Sequence, residues 1–295
     1  MHSFEELTQG GWVILCVGAT VAVVAAALVQ WTTLGVRLSG WSRRYGLSVT
    51  GENRPFVEHY LRRTRLLQIC GAGIGWVVAP LYIALVGQPF PLGDSWVALS
   101  IGGYLIGAVL AETIVGRAPR GLSRVRSAAL VPRILRDYLP AGSLWAIRVL
   151  PGVTAALAVI AALVRPATQS PDAATVVAVG ELAALGVAFS VAIEWLLRSI
   201  VARPQPATSR AMIEADDAIR ASSLHALSAG AIALLLLSMA WALVLIGTVA
   251  APESGGGLLT TLAAVIDLVA VLAWLVLGHP RSWRVLRASR LDGVG

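Results

Sequence analysis

Three carboxylates lie within four positions of one another in the stretch IEADDAIRASS, residues 213–223. Clustered carboxylates can bind a hard cation or a metal-linked phosphate, but such a site needs several convergent oxygen ligands and this segment alone supplies few. Asp216 and Asp217 are also spaced from Arg220 as opposite charges are on a helix surface, and acidic residues before a helix complement its dipole. We therefore interpret Glu214, Asp216 and Asp217 as the solvated start of a helix, with a metal or phosphate site as the alternative.

Two other carboxylates lie inside apolar stretches, where an ionised group costs free energy unless it is paired or hydrated. Asp267 is near the middle of the last apolar stretch, and Glu181 is in the first half of the fifth. Helical rise places both roughly 12–14 Å below the same membrane boundary. On neighbouring helices these candidate coupling residues could share a proton or hold a cation. The alternative, which we favour, is that each is a protonated carboxyl hydrogen-bonded to a Ser or Thr of another helix.

Two combinations of opposite charge are predicted near the other boundary. Glu112 and Arg148 are each about four residues inside consecutive apolar stretches, at a depth where such groups can pair or reach water. Glu194 and His225 are the matching combination in the next two stretches. Both combinations predict structural ion pairs between antiparallel helices rather than chemistry. Pro151 predicts a kink in the fourth stretch.

Several membrane activities lack their motifs. A retinal Schiff base needs a lysine, and the sequence has none. A dihaem site needs paired axial ligands, but His225 is the only histidine within a predicted span. The sequence contains neither a GxxxxGK[ST] phosphate loop nor the HExxH pair of metalloproteases. We therefore predict no cofactor, no metal and no catalytic residue, with a membrane enzyme as the third alternative.

The whole chain is too apolar for a soluble domain. Its mean hydropathy is +0.77, and 57% of its 295 residues are hydrophobic while 13% are charged. Several apolar runs reach the roughly 20 residues that a helix needs to cross about 30 Å of hydrocarbon. We predict an all-α, polytopic membrane helix bundle forming a single membrane domain, 1–295. The seven predicted spans are 11–30, 67–87, 95–115, 144–164, 173–197, 224–250 and 258–278.

The positions of the arginines predict the orientation. All 23 basic residues are arginines, and 21 of them lie between alternate spans or in the tail 279–295. The positive-inside rule places these segments in the cytoplasm, with the amino terminus outside and the carboxyl terminus inside. A pI near 10.4 does not indicate nucleic acid here, because no basic block is interleaved with base-stacking aromatics. The predicted partner surface is instead the bilayer, with its anionic inner-leaflet lipids.

The sequence also has an internal periodicity. Gln30, Glu112 and Glu194 recur at intervals of 82 residues, and FVEHYL resembles ILRDYL and, more weakly, EADDAI. The pattern predicts three hairpin repeats, each with an amphipathic cytoplasmic helix, followed by the lone final span. The alternative is that the similarity reflects only the restricted alphabet of membrane hairpins. The predicted repeats are 11–87, 95–164 and 173–250.

Two local patterns predict how these segments pack. Residues 130–139 have apolar side chains at i, i+1, i+4 and i+5, as in a helix lying at the membrane interface. Gly71 and Gly75, like Gly103 and Gly107, have GxxxG spacing, which favours close contact between helices.

The segments LVPRILRDYLP and RPQPATSRAMIEADDAIRASS resemble stretches of multi-pass integral membrane proteins of high-GC actinobacteria that have no established activity. The resemblance covers mainly residues 103–225, and the exclusive use of arginine suits such a genome. It implies a bacterial plasma-membrane location and transfers no functional residue.

The sequence therefore predicts a seven-span plasma-membrane protein that is a non-enzymatic, partner-binding component of a membrane complex. The alternative is a small secondary transporter coupled to protons or cations through Asp267 and Glu181.

Overall fold

The described residues form α-helices and one pair of two-residue strands, with short turns between them. A computed structural model describes isolated positions 17, 18, 21, 25, 29 and 32, and then 34–86, 96–114, 126–127, 133–163, 173–206, 209–250 and 257–278. The helices are α1 Leu34–Tyr45, α2 Arg54–Val86, α3 Trp96–Ile114, α4 Ala141–Leu163, α5 Ala173–Val201, α6 Arg210–Ala250 and α7 Gly257–Leu277. Strand β1, Arg126–Ser127, pairs antiparallel with β2, Gln205–Pro206. The predicted helical fold class is confirmed over these residues.

Among the described residues, three helices are long and apolar enough to cross a membrane. They are Gly180–Val201 within α5, Arg210–Gly247 within α6, and α7. The apolar parts of α3 and α4, Ala98–Ile114 and Ala141–Leu157, are shorter. Most of the predicted first span and all of the tail 279–295 lie outside the described residues. The count of seven spans and the orientation stay predictions.

In α2 and α6 the segment predicted to be cytoplasmic and the span predicted after it form one continuous helix. These helices have 33 and 41 residues, and 1.5 Å of rise per residue makes them about 50 and 62 Å long. Both lengths exceed the roughly 30 Å of bilayer hydrocarbon. FVEHYL and EADDAI therefore lie near the starts of long helices and are not separate interfacial elements.

The corresponding segment before α4 is different, and the amphipathic helix predicted over 130–139 is wrong in its described part. Ile134 is extended, and the helical turn at Leu135–Asp137 is a single 3-10 turn. The Asp137 carboxylate closes this turn by accepting the Ile134 backbone N–H at 3.0 Å. Pro140 follows, and a proline disfavours α geometry in the residue before it. The α-helix therefore begins only at Ala141.

The chain divides into two compact units. Unit 1 comprises Met1–Ala128 and Pro204–Ile219, and unit 2 comprises Ala129–Arg203 and Arg220–Gly295. Helix α6 therefore contributes its first residues to unit 1 and the rest to unit 2. The predicted hairpin repeats stay predictions.

In unit 1, α2 and α3 pack through direct backbone contact at the two GxxxG pairs. A Cβ atom added at Gly71 would lie 2.9 Å from the carbonyl carbon of Gly103, and one at Gly103 would lie 2.8 Å from that of Gly71. A Cβ atom added at Gly75 would lie 2.6 Å from the carbonyl carbon of Leu99, and one at Gly107 would lie 2.7 Å from that of Leu67. No side chain fits at these distances, which confirms the predicted close contact.

Local hydrogen bonds fix the connection from α1 to α2. Gly46, at φ 59°, ends α1. The backbone N–H of Leu47 donates to the backbone carbonyl of Ser42 at 2.8 Å, as in a Schellman motif. Asn53 and Thr50 then exchange side-chain and backbone hydrogen bonds, a reciprocal arrangement that starts α2. The fully buried Asn53 amide also donates to the carbonyl of Ala211 at 3.4 Å. It thereby ties the connection to the start of α6 within unit 1.

In unit 2, apolar side chains of three helices form a core. Ala240 and Leu243 of α6 are buried together with Ala263 of α7, and Leu157 of α4 packs against them.

The α2–α3 contact predicts that alanine substitutions at two adjacent glycines have very different effects on stability. Gly103→Ala should lower the free energy of unfolding by about 1–3 kcal/mol, because the helices must separate to admit the methyl group. Gly102→Ala is the matched control, since a Cβ there meets nothing within 4 Å. It should leave stability unchanged or raise it by up to about 1 kcal/mol through helix propensity. Denaturant titration in detergent measures both, and equal effects would contradict the close contact.

Candidate functional site

Two helices of unit 2 bring three charged side chains together. Glu194 accepts hydrogen bonds from Arg148 Nε at 3.1 Å and from Arg148 Nη2 at 2.6 Å. Arg198, one turn further along α5, also donates to the same carboxylate. We call Arg148, Glu194 and Arg198 the arginine–glutamate cluster. Glu194 is 21% exposed and the two arginines are more open, so the cluster lies at a surface of unit 2 and keeps a net positive charge.

The sequence predicts Arg148 with Glu112, a pairing that stays a prediction, and Glu194 with His225. In the structure, hydrogen bonds join Arg148 to Glu194. The physical reason is that α4 and α5 are consecutive and pack together, so residues near the start of one lie close to residues near the end of the other. Glu112 is a buried residue of α3 in unit 1. The Nδ1 atom of His225, which is also buried, lies 2.7 Å from the carbonyl of Ala221 on its own helix.

A hydrogen bond that depends on a proline and a serine joins α4 to α5. Pro151 lies inside α4 and has no N–H, so the carbonyl four residues earlier, on Ile147, loses its helical donor. The hydroxyl of Ser190 on α5 donates to that carbonyl at 2.7 Å, in a buried position. Neighbouring Ser or Thr side chains commonly satisfy backbone groups freed by proline in membrane helices. Pro151 therefore creates the acceptor by which α5 is attached.

Arg220 of α6 donates hydrogen bonds to backbone carbonyls at the end of α5. Its Nη1 amino group donates to the carbonyls of Ile200 and Val201, both at 3.1 Å, and to that of Arg203 at 2.8 Å. The last carbonyls of a helix have no intrahelical partner, and a cation there also complements the helix dipole. The Arg220 side chain is almost completely buried, at 1% exposure. Its role in unit 2 is therefore that of a buried cap on α5.

The carboxylates of IEADDAIRASS do not form the solvated face that the sequence predicts. Asp216 and Asp217 are buried, at 8% and 5% exposure. Only Glu214 keeps a surface position, with an ion pair to Arg210 at 3.1 Å. The interpretation fails because almost every residue of α6 from position 215 to 233 is buried, so this part of the helix has no solvent face. Over the described parts of the chain, no group of three or more His, Cys, Asp or Glu side chains could hold a metal ion.

The two intramembrane carboxylates lie at exposed positions of unit 2. Asp267 of α7 is exposed although Ala263 and Ala270, on the same side of the helix, are buried. Glu181 of α5 is also exposed. Within the described residues, neither side chain makes a hydrogen bond or an ion pair. Their predicted coupling stays a prediction.

No protein-family model, curated protein or solved structure matches this chain. The site is therefore interpreted from its own geometry.

Pro151 and Ser190 should be energetically coupled. Ser190→Ala leaves a buried carbonyl without a donor and should lower the free energy of unfolding by about 1 kcal/mol. In a Pro151→Ala background the new backbone N–H can donate to Ile147, so the same substitution should cost much less. A double-mutant cycle in detergent measures the difference. Ser199→Ala is the control, because that hydroxyl bonds only within α5, and equal costs of Ser190→Ala in both backgrounds would contradict the coupling.

The Arg220 cap predicts that substitution of this one arginine strongly lowers the stability of the chain. Arg220→Gln should lower the free energy of unfolding by about 2 kcal/mol or more, because charge-assisted hydrogen bonds to buried carbonyls are lost. Arg210→Gln, which removes an exposed ion pair of the same helix, should cost less than about 1 kcal/mol. Exchange of the backbone amides of Ala202 and Arg203 should accelerate in the first variant only. Unchanged exchange there would show that Arg220 does not cap α5.

Proposed function

We propose that the chain is a non-enzymatic, partner-binding component of a membrane complex in a bacterial plasma membrane. In this proposal it has seven spans, its amino terminus is outside, and its carboxyl terminus is in the cytoplasm. The observation that carries the proposal is the exposed carboxyl of Asp267 in the middle of α7, a helix able to cross a membrane.

The surface of α7 supports contact with another chain. Only Ala263 and Ala270 are buried along its 21 residues, so most of the helix is left uncovered by the rest of unit 2. Its exposed apolar side chains include Leu268 and Leu272 beside Asp267. In hydrocarbon, an uncovered ionised carboxyl at the centre of a span costs about 3 kcal/mol on insertion scales. A partner helix that supplies a hydroxyl, an amide or a basic group would remove this cost.

The predicted topology also supports a role within the membrane. The connections assigned to the outer side, GQPFPLGD, RPATQSPD and APESGGG, are too short to form a domain. Recognition would then involve the spans and the arginine-rich cytoplasmic segments. Asp267 is the group that we assign to partner binding.

The second candidate function is secondary transport coupled to protons or cations. Its support is the similar depth of Asp267 and Glu181, two titratable groups on different helices of unit 2. In this case both carboxylates would be needed for the same activity, whereas partner binding through α7 needs only Asp267.

The deciding experiment is purification of the tagged full chain from its native membranes in mild detergent, with quantitative mass spectrometry of what is retained. We expect a stoichiometric membrane partner with the wild type, and at least about tenfold less of it with Asp267→Leu, given the strength of interhelical hydrogen bonds in membranes. Asp267→Leu makes α7 more apolar, so insertion should not suffer. Glu181→Leu is the matched control and should retain the partner.

A wild-type chain that purifies without any stoichiometric partner would overturn the proposal. Proton or cation flux by the purified chain in liposomes, lost in both Asp267→Leu and Glu181→Leu, would establish the transporter instead.

A further inference from the structure

A cavity of about 650 Å³ lies within unit 2, where α4 begins and α5 ends. Four arginines line it, and they come from three different parts of the chain. Arg133 and Arg136 belong to the segment before α4, Arg148 to α4 and Arg198 to α5. This convergence gives the cavity a concentration of positive charge.

The carboxylates of Glu194 and Asp137 offset only part of that charge, because they carry two negative charges against the four positive ones. Glu194 holds Arg148 and Arg198 in place, yet their side chains remain 51% and 66% exposed. The Asp137 carboxylate already accepts the backbone N–H of Ile134. Guanidinium groups match phosphate oxygens because their N–H donors form a planar fork. The cavity is therefore suited to an anion with several oxygens.

The rest of the wall is apolar, and this feature decides which kind of anion fits. Leu144, Trp145, Ile134 and Val201 line the cavity beside the arginines. Trp145 and Ile134 are 67% and 54% exposed, so their apolar surfaces are open. Tryptophan is enriched at the level of lipid headgroups. A soluble anion would not use these surfaces, but a phospholipid would place its phosphate on the arginines and its acyl chain along the apolar side chains.

We propose that this cavity binds the headgroup phosphate of an anionic phospholipid. Basic pockets between membrane helices on the cytoplasmic side bind such headgroups in other proteins. The proposed orientation makes the lipid one of the inner leaflet, but the cavity lies within a single unit and its binding does not depend on any partner protein. Failure of the partner proposal would therefore leave this site untouched, and the reverse also holds.

The test uses the full chain in mild detergent and counts bound lipid by native mass spectrometry. The probes are dioleoyl phosphatidylglycerol and, as the neutral counterpart, dioleoyl phosphatidylcholine. We expect the wild type to retain phosphatidylglycerol in preference to phosphatidylcholine. The double variant Arg133→Gln/Arg136→Gln should weaken retention at least about tenfold, because each basic group near a lipid surface is worth several-fold in affinity.

The matched control removes the same charge elsewhere on the predicted cytoplasmic side. Arg43 and Arg63 are exposed residues of α1 and α2, in unit 1. The variant Arg43→Gln/Arg63→Gln should reduce retention less than about twofold, since exposed charges away from the site are screened. Trp145→Ala, which removes part of the apolar wall, should weaken phosphatidylglycerol retention but not the preference for an anionic headgroup.

Three results would overturn the proposal. If both double variants lose the same amount of phosphatidylglycerol, the lipid is held by the overall positive charge of the chain and not by this cavity. Equal retention of the two lipids would mean that the cavity does not distinguish an anionic headgroup from a neutral one. Displacement of phosphatidylglycerol by millimolar inorganic phosphate would identify a soluble anion as the ligand. If the pocket variant does not fold, Arg136→Gln alone decides the same question, because Arg136 is exposed and lies outside the α-helices.

Discussion

In unit 2, backbone carbonyls without a helical donor determine how the helices are joined. Backbone groups that are buried away from water must find donors inside the protein. One carbonyl is freed by Pro151 and satisfied by Ser190, and the last carbonyls of α5 are satisfied by Arg220. In both cases the donor is on another helix. The requirement for backbone hydrogen bonding thereby becomes an attachment between helices, and it sets the position of α5, which carries Glu194 and Arg198 to the charged cavity.

Unit 1 uses a different means of attachment. Its helices α2 and α3 have little side chain between them where they cross, because glycines on both helices allow direct backbone contact. In lipid, apolar side chains give little net drive for helix association, so close packing of this kind supplies much of the attraction. Polar side chains such as Asn53 then organise the neighbouring connection to α6. Close backbone contact thus joins α2 and α3 in unit 1, whereas side-chain hydrogen bonds to backbone carbonyls join the helices of unit 2.

The features that could be predicted from the sequence are those encoded by local patterns. Apolar length located the helices, and GxxxG spacing located the α2–α3 contact, because both follow from the geometry of a single helix. Partner choice was not predictable in this way. Glu194 has an oppositely charged neighbour on α4 only because α4 and α5 pack together, and Asp216 is buried only because its part of α6 has no solvent face. The cap by Arg220 was also missed, since nothing in the spacing shows which carbonyls it meets. Pro151 did carry a usable signal, because the carbonyl four residues earlier must seek another donor.

The absence of lysine from the sequence has a consequence for the arginine-lined cavity. Guanidinium groups keep their charge over the whole physiological pH range and cannot lose it by acetylation as lysine ammonium groups can. The positive charge of this cavity is therefore constant, whatever the acidity or the acetyl-donor level of the cell. Occupancy of the proposed lipid site would therefore depend on the amount of anionic ligand at the membrane and on the ionic strength beside it. In the proposed lipid site, such a surface would respond to the lipid composition of the membrane and not to the acidity or the acetyl-donor level of the cytoplasm.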